Sequence, residues 1–149
     1  MEWPASFYEL RRGEGCTMCE QGRPDETEYG ARFFEGEVAD AYLQKEAVQR
    51  GYSVVVWRGR HVAEPTELSR EEAAQYWLEL LEVGRRIERH LEPVKLNYDI
   101  LGNSLPHIHT HVIPRYADDP KPGWPFPFPG SPGRVEDEQF RADVEALRA

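Results

Sequence analysis

Seven consecutive residues, His107-Ile108-His109-Thr110-His111-Val112-Ile113, alternate between imidazoles and mostly apolar side chains. An extended strand with one buried face meets that pattern, because successive side chains on a strand point to opposite sides. The alternation places His107, His109 and His111 on one face. It places Ile108 and Val112, with Thr110, toward a core. Three of the chain's five histidines fall in this run. A merely solvated face has no need of imidazoles, since Thr, Lys or Glu serve as well, so the row is a candidate site.

The 149-residue sequence is read as one domain, 1–149, with an N-terminal arm at 1–30 and a proline-rich segment and final helix at 117–149. The formal net charge of −9 argues against a broad grip on nucleic acid or on an anionic membrane, while a locally positive pocket can still take a small anion. The start, Met1-Glu2-Trp3-Pro4, shows no basic segment leading into an apolar stretch. No apolar run approaches the ~20 residues of a membrane span. The expected location is cytoplasmic. Cys16 and Cys19 are the only cysteines. Their C-x-x-C spacing in such a compartment points to metal or redox chemistry rather than a structural disulfide.

The pattern predicts strands over Arg32–Phe34 and Val38–Leu43 around a Glu35-Gly36 turn, and a buried strand over Ser53–Trp57. Ser69 opens the clearest helix, because Glu72 three residues later completes a capping box. Tyr76, Leu80, Val83, Ile87 and Leu91 then form one apolar stripe, and Pro93 ends the helix. His90 lies off the stripe and reads as a solvated helix residue. Leu96–Leu101 reads as a strand, Gly102-Asn103-Ser104 as a turn, and Asp137–Leu147 as a short helix. Residues 1–30 read as an arm with loops. The class is α+β with a largely antiparallel sheet.

Three chemistries suit imidazoles on one face. Two at i and i+2 can share a catalytic metal ion. A neutral imidazole nitrogen is a competent nucleophile toward phosphorus near neutral pH. General acid–base work accompanies either. The surroundings favour phosphorus. The Gly102-Asn103-Ser104 turn is able to aim N–H groups and two polar side chains at an anion, and Asn97 lies on the preceding strand.

The run His107–Ile113 resembles the His-φ-His-φ-His-φ-φ pattern of the histidine-triad (HIT) family, with Thr110 the one polar departure. Pro114-Arg115 looks like members acting on dinucleoside polyphosphates, and the similarity extends over roughly Cys16 to Arg115. The resemblance implies a five-stranded antiparallel sheet with flanking helices and a C-terminal helix, paired as a homodimer. It implies cleavage or transfer at the α-phosphate of a nucleotide. His109 would be the nucleophile, forming a nucleotidyl-histidine that water resolves. His111 would hydrogen-bond the phosphate or leaving group, and the carbonyl of His107 would orient His109. Asn97, Gly102, Asn103 and Ser104 would line the phosphates, with Arg115 reaching a distal one.

The same resemblance implies a structural zinc held by Cys16, Cys19, His61 and His107, a closed Cys₂His₂ set. Two departures bear on the nucleoside. Gln44 stands where the family usually carries an acidic residue for the ribose hydroxyls, and a common Gly-His is Gly51-Tyr52. The segment Trp124–Phe128 reads as an extended arm, a cover for the pocket, or an arm crossing to a partner subunit. The expected function is therefore hydrolysis of a dinucleoside polyphosphate or nucleotide conjugate. The alternatives are a nucleotidyltransferase or phosphorylase using the same intermediate, a metal-dependent hydrolase with His107 and His109 as joint ligands, and a non-catalytic zinc-stapled nucleotide-binding module.

Overall fold

The β-branched run Ser53–Trp57 forms the middle strand of a five-stranded antiparallel sheet. In chain order the strands are β1 (Gly30–Glu35), β2 (Ala39–Gln44), β3 (Ser53–Trp57), β4 (Lys95–Asp99) and β5 (His109–Arg115). They lie side by side as β1-β2-β3-β5-β4. The helices are α1 (Ala5–Arg11), α2 (Thr17–Glu20), α3 (Arg70–Leu91) and α4 (Asp137–Arg148). This computed structural model describes residues 1–46, 49–126 and 133–149.

One face of the sheet carries the core. Ala41, Leu43, Val55, Trp57 and Val112 meet Tyr76, Leu80, Val83 and Ile87 of α3, while Phe140, Val144 and Leu147 of α4 extend the same cluster. The apolar stripe of α3 faces the sheet because its members recur at helical spacing. Its start is fixed as the sequence predicts. Ser69 Oγ accepts from the Glu72 N–H at 3.1 Å, and the Glu72 carboxylate accepts from the Ser69 N–H at 2.8 Å. The helix stops at Glu92, which takes left-handed geometry just before Pro93.

Thr110, the polar departure in the histidine run, is fully buried on this core face. Its hydroxyl pairs with that of Tyr76 at 2.7 Å, and Tyr76 in turn donates to the Val55 carbonyl. The buried hydroxyls therefore satisfy one another and cost little. Glu79 of α3, also buried, accepts from the N–H groups of Glu37 and Val38 and so ties the β1–β2 turn to the helix.

The structure corrects three expectations. The N-terminal arm contains the helices α1 and α2 rather than loops alone. Both are too short to show a sequence period, and Gly13 and Gly15 between them take positive φ to turn the chain. His90 is half-covered, with Nε2 2.8 Å from the Asp143 carboxylate, which Arg50 also grips at 2.8 and 3.0 Å. It joins α3 to α4 instead of facing solvent. The last strand begins at His109, not His107. The N–H of Trp57 already bonds the Ile108 carbonyl, and the Ile108 N–H bonds the Val62 carbonyl. His107 therefore lies just before the strand, with its ring against Cys16 and Cys19 of the arm. Part of the proline-aromatic segment, 127–132, lies outside the described residues. Among the described residues, no helix is long and apolar enough to cross a membrane.

Candidate active site

The second face of the sheet carries the polar groups. Antiparallel partners share a face, so the register Asp40↔Val56↔His109 and Tyr42↔Val54↔His111 puts these side chains together opposite the core. On the far side of β5, Asp99 lies across from His111 and Asn97 across from Ile113. The N-terminal arm covers this face. A cavity of about 220 Å³ opens between them, lined by His109, His111, Tyr42 and Gln44 from the sheet and by Thr17 and Met18 from α2. On its other side His109 borders a second hollow of about 220 Å³, lined with His107 by Gly102, Leu101 and Pro65.

His109 is set by a backbone contact. Its Nδ1 lies 2.7 Å from the His107 carbonyl oxygen. A carbonyl only accepts, so Nδ1 carries the proton and Nε2 keeps its lone pair. Burial lowers the His109 pKa, which favours that neutral ring. His111, also half-buried, is pushed down to about 4 by burial and then by His109. The His109 and His111 rings stand edge to face with centroids 5.0 Å apart.

His107 faces the arm. Its Nε2 donates to the Trp57 carbonyl at 2.7 Å, which leaves Nδ1 as an acceptor 3.4 Å from Cys16 Sγ and 3.5 Å from Cys19 Sγ. His61 repeats the scheme. Its Nε2 donates to the Arg11 carbonyl at 3.1 Å, and its Nδ1 lies 3.4 Å from Cys19 Sγ. All four ligand atoms fall within 4.8 Å of one another. Spacings of about 3.5 Å are the edges expected of a tetrahedron with S and N ligands near 2.3 and 2.1 Å. Burial, and then the neighbouring Cys16, push the Cys19 thiol up to about 11. The donor set, the imidazole tautomers and the outer hydrogen bonds all fit a metal ion.

The other expected site residues divide into two groups. Gln44 lines the histidine cavity, and Gly102 lines the second hollow. Asn103 and Ser104 follow in the exposed turn beside it. Arg115 lies elsewhere. It is buried, and its guanidinium bonds Asp119, the Asn97 side chain and the carbonyls of Lys121 and Trp124. Arg115 and Asn97 thus brace the loop after β5.

Sequence reasoning passed over Asp40, Arg58, Arg23 and Tyr42, and named Tyr52 only as a departure from the family pattern. Asp40 is fully buried beneath the cavity and receives bonds from Arg58 at 2.9 Å and Arg23 at 2.7 and 3.0 Å. Arg58 also donates to the Tyr42 hydroxyl and to the Met18 carbonyl, which fastens α2 to the sheet. The alternation of β2 placed Asp40 on a definite face, but no local pattern marks ion pairs so distant in sequence. Tyr52 meets His111, with its hydroxyl 2.7 Å from Nδ1.

A sheet of this order, a histidine pair against a cavity and a Cys₂His₂ cluster behind it define a histidine-triad protein. The HIT domain family model matches residues 27–118, and the chain belongs to that family. It is 30% identical over 109 residues to the protein hit of Bacillus subtilis (strain 168), across 70% of this chain and 73% of the relative. It is 28% identical over 92 residues to a bis(5'-adenosyl)-triphosphatase of Dictyostelium discoideum, across 58% of this chain and 61% of the relative. The crystal structure of a histidine triad protein from Bradyrhizobium japonicum superposes with a TM-score of 0.70 at 26% identity, covering 81% of this chain and 90% of the other. A zinc-bound histidine triad family protein from Mycobacterium smegmatis shares the fold with a TM-score of 0.66 at 23% identity, covering 89% and 93%.

Removing one partner from a buried ion pair leaves an uncompensated charge. Asp40→Asn is therefore expected to lower stability by about 3 kcal/mol. The check is a fall in the urea midpoint at unchanged slope.

Proposed function

We propose that this chain hydrolyses a dinucleoside polyphosphate or related nucleotide conjugate at the α-phosphate, through a covalent nucleotidyl-histidine at His109. The observation that carries the reading is the 2.7 Å contact from His109 Nδ1 to the His107 carbonyl, which leaves Nε2 unprotonated beside two open hollows. Nε2 attacks the α-phosphorus, and the P–O bond to the leaving group breaks. The leaving oxygen takes its proton from His111 or from solvent. Water then cleaves the P–N bond, which releases a nucleoside monophosphate and restores the ring. A nucleophile other than water at that second step would make the same chain a nucleotidyltransferase. The bis(5'-adenosyl)-triphosphatase among its relatives supports the hydrolytic form.

Gln44 would meet the ribose hydroxyls in the cavity. The Gly102-Asn103-Ser104 turn would supply hydrogen bonds to the phosphates, and Asn97 with Arg115 would hold the loop after β5 in place. The metal-dependent alternative has less support, because both ring nitrogens of His107 are engaged, one by the Trp57 carbonyl and one by the cysteine pair. Cys16, Cys19, His61 and His107 would hold zinc, which when bound supplies a rigid crosslink between the arm and the histidine segment.

Quenching a reaction with α-³²P-labelled diadenosine polyphosphate in base should trap acid-labile label on His109. His109→Gly should carry none and should lose at least about four orders of magnitude in kcat, as removal of a covalent nucleophile does. Turnover without any adduct would reject the covalent route, and binding without turnover would favour a non-catalytic module. Metal analysis of purified protein should find about one zinc per chain, and Cys16→Ser should lose both the metal and thermal stability.

We also propose a homodimer through β4. That strand forms an edge of the sheet, and Val94, Tyr98, Ile100 and Leu101 expose apolar surface on it and at its ends. Light scattering should then give twice the chain mass of 17.3 kDa.

A further inference from the structure

Tyr52 stands immediately before β3 and is seated by its backbone. Its N–H bonds the Gln49 carbonyl at 2.9 Å, and its carbonyl accepts from the Gln44 N–H at 2.9 Å. Gly51 before it takes φ +85° against Leu91 and Pro114, where a β-carbon would collide. This seating brings the phenol hydroxyl to 2.7 Å from His111 Nδ1, with the two rings edge to face at 5.7 Å. Phe126 packs against the other side of Tyr52 at 5.6 Å, and with Ile113 they form a small apolar cluster apart from the main core.

The direction of the hydrogen bond follows from satisfaction. A phenol has one proton to place, and among the described residues only His111 Nδ1 lies within reach of it. Donation to Nδ1 satisfies the O–H. Acceptance from an Nδ1–H would leave a half-buried hydroxyl proton without a partner. Burial, and then Asp99, push the Tyr52 phenol up to about 12, so it remains a donor through the neutral range.

We propose that Tyr52 is a positioning residue, which donates to Nδ1 of His111 and holds that ring as the Nε2–H tautomer facing the cavity. His111 then presents an N–H to a phosphoryl oxygen or to the departing atom, while neighbouring His109 has the opposite arrangement, with its proton on Nδ1 and a bare Nε2. Two adjacent imidazoles are thereby kept in complementary tautomers, one by a carbonyl and one by a phenol. The catalytic half of this inference rests on the HIT-type reaction proposed above. The tautomer half does not.

The test is Tyr52→Phe, which removes only the hydroxyl and keeps the ring against Phe126 and Ile113. With ¹⁵N-histidine label, assigned by loss of signal in His111→Asn, wild-type His111 should show Nε2 protonated and Nδ1 bare. Tyr52→Phe should show a mixture of tautomers at an unchanged melting temperature. On a dinucleoside polyphosphate its kcat should fall about three- to tenfold with KM unchanged, the scale of one lost fixed hydrogen bond. An Nδ1–H at His111 in wild type, or a tautomer and kcat indifferent to the substitution, would overturn the proposal. If no nucleotide is turned over at all, the NMR result still decides the role of Tyr52, and the failure falls on the proposed reaction.

Discussion

His107 is the residue on which the functional face depends, because it is held on three sides and passes that constraint on. Its Nε2 is fixed to the Trp57 carbonyl of the central strand, and its Nδ1 faces the cysteine pair of the arm. Its carbonyl sets the tautomer of His109 two residues later. Each bond alone is worth about 1 kcal/mol net. Their combined effect is geometric. A ring fixed to strand and arm cannot shift without moving the carbonyl that orients its neighbour. The first histidine of the run therefore acts through its backbone on His109 while its side chain belongs to the Cys₂His₂ cluster.

The arm is tied down by two different means. The Cys₂His₂ cluster closes one end. Beneath the cavity, Arg58 joins buried Asp40 to the Met18 carbonyl, and Arg23 brings a second guanidinium from the arm to the same carboxylate. Thr17 and Met18 sit between the two cysteines and also line the cavity. The wall of the cavity is thus the turn that the cysteines hold. Buried ion pairs are seldom strong stabilisers in net terms, since desolvation offsets attraction. Their value here is in fixing the position of a short helix with little core of its own.

The sequence showed most of what has a local period. The strand Ser53–Trp57, the capped helix from Ser69 and the final helix from Asp137 were legible, because alternation, capping and the 3.6-residue stripe are local signals. The cysteine pair and the histidine row marked the candidate site. What the sequence hid was long-range or directional. The strand begins at His109 rather than His107, and alternation does not reveal where a strand begins. His90 looked solvated because its partner, Asp143, is 53 residues away. Arg115 looked free for phosphate, yet its partners come from a loop without any recognisable pattern. Tyr52 read as a departure from a family pattern, and only coordinates bring its hydroxyl to 2.7 Å from the third histidine.

The position of His109 also constrains how a substrate would lie. Displacement at phosphorus asks for the nucleophile and leaving group to be roughly in line, so groups on either side of the phosphorus need separate room. His109 borders two hollows rather than one. Under the proposed reaction the first, walled by Tyr42, Gln44 and Met18, would take the nucleoside. The second, beside Gly102, Leu101 and Pro65, has few hydrogen-bonding side chains and one acidic neighbour, Glu64. Under the proposed reaction it favours a leaving group with an apolar or weakly charged body over a long run of phosphates. Arg115, committed to its loop, offers such phosphates no help. A leaving group seated there under that reaction would meet an apolar wall and one carboxylate.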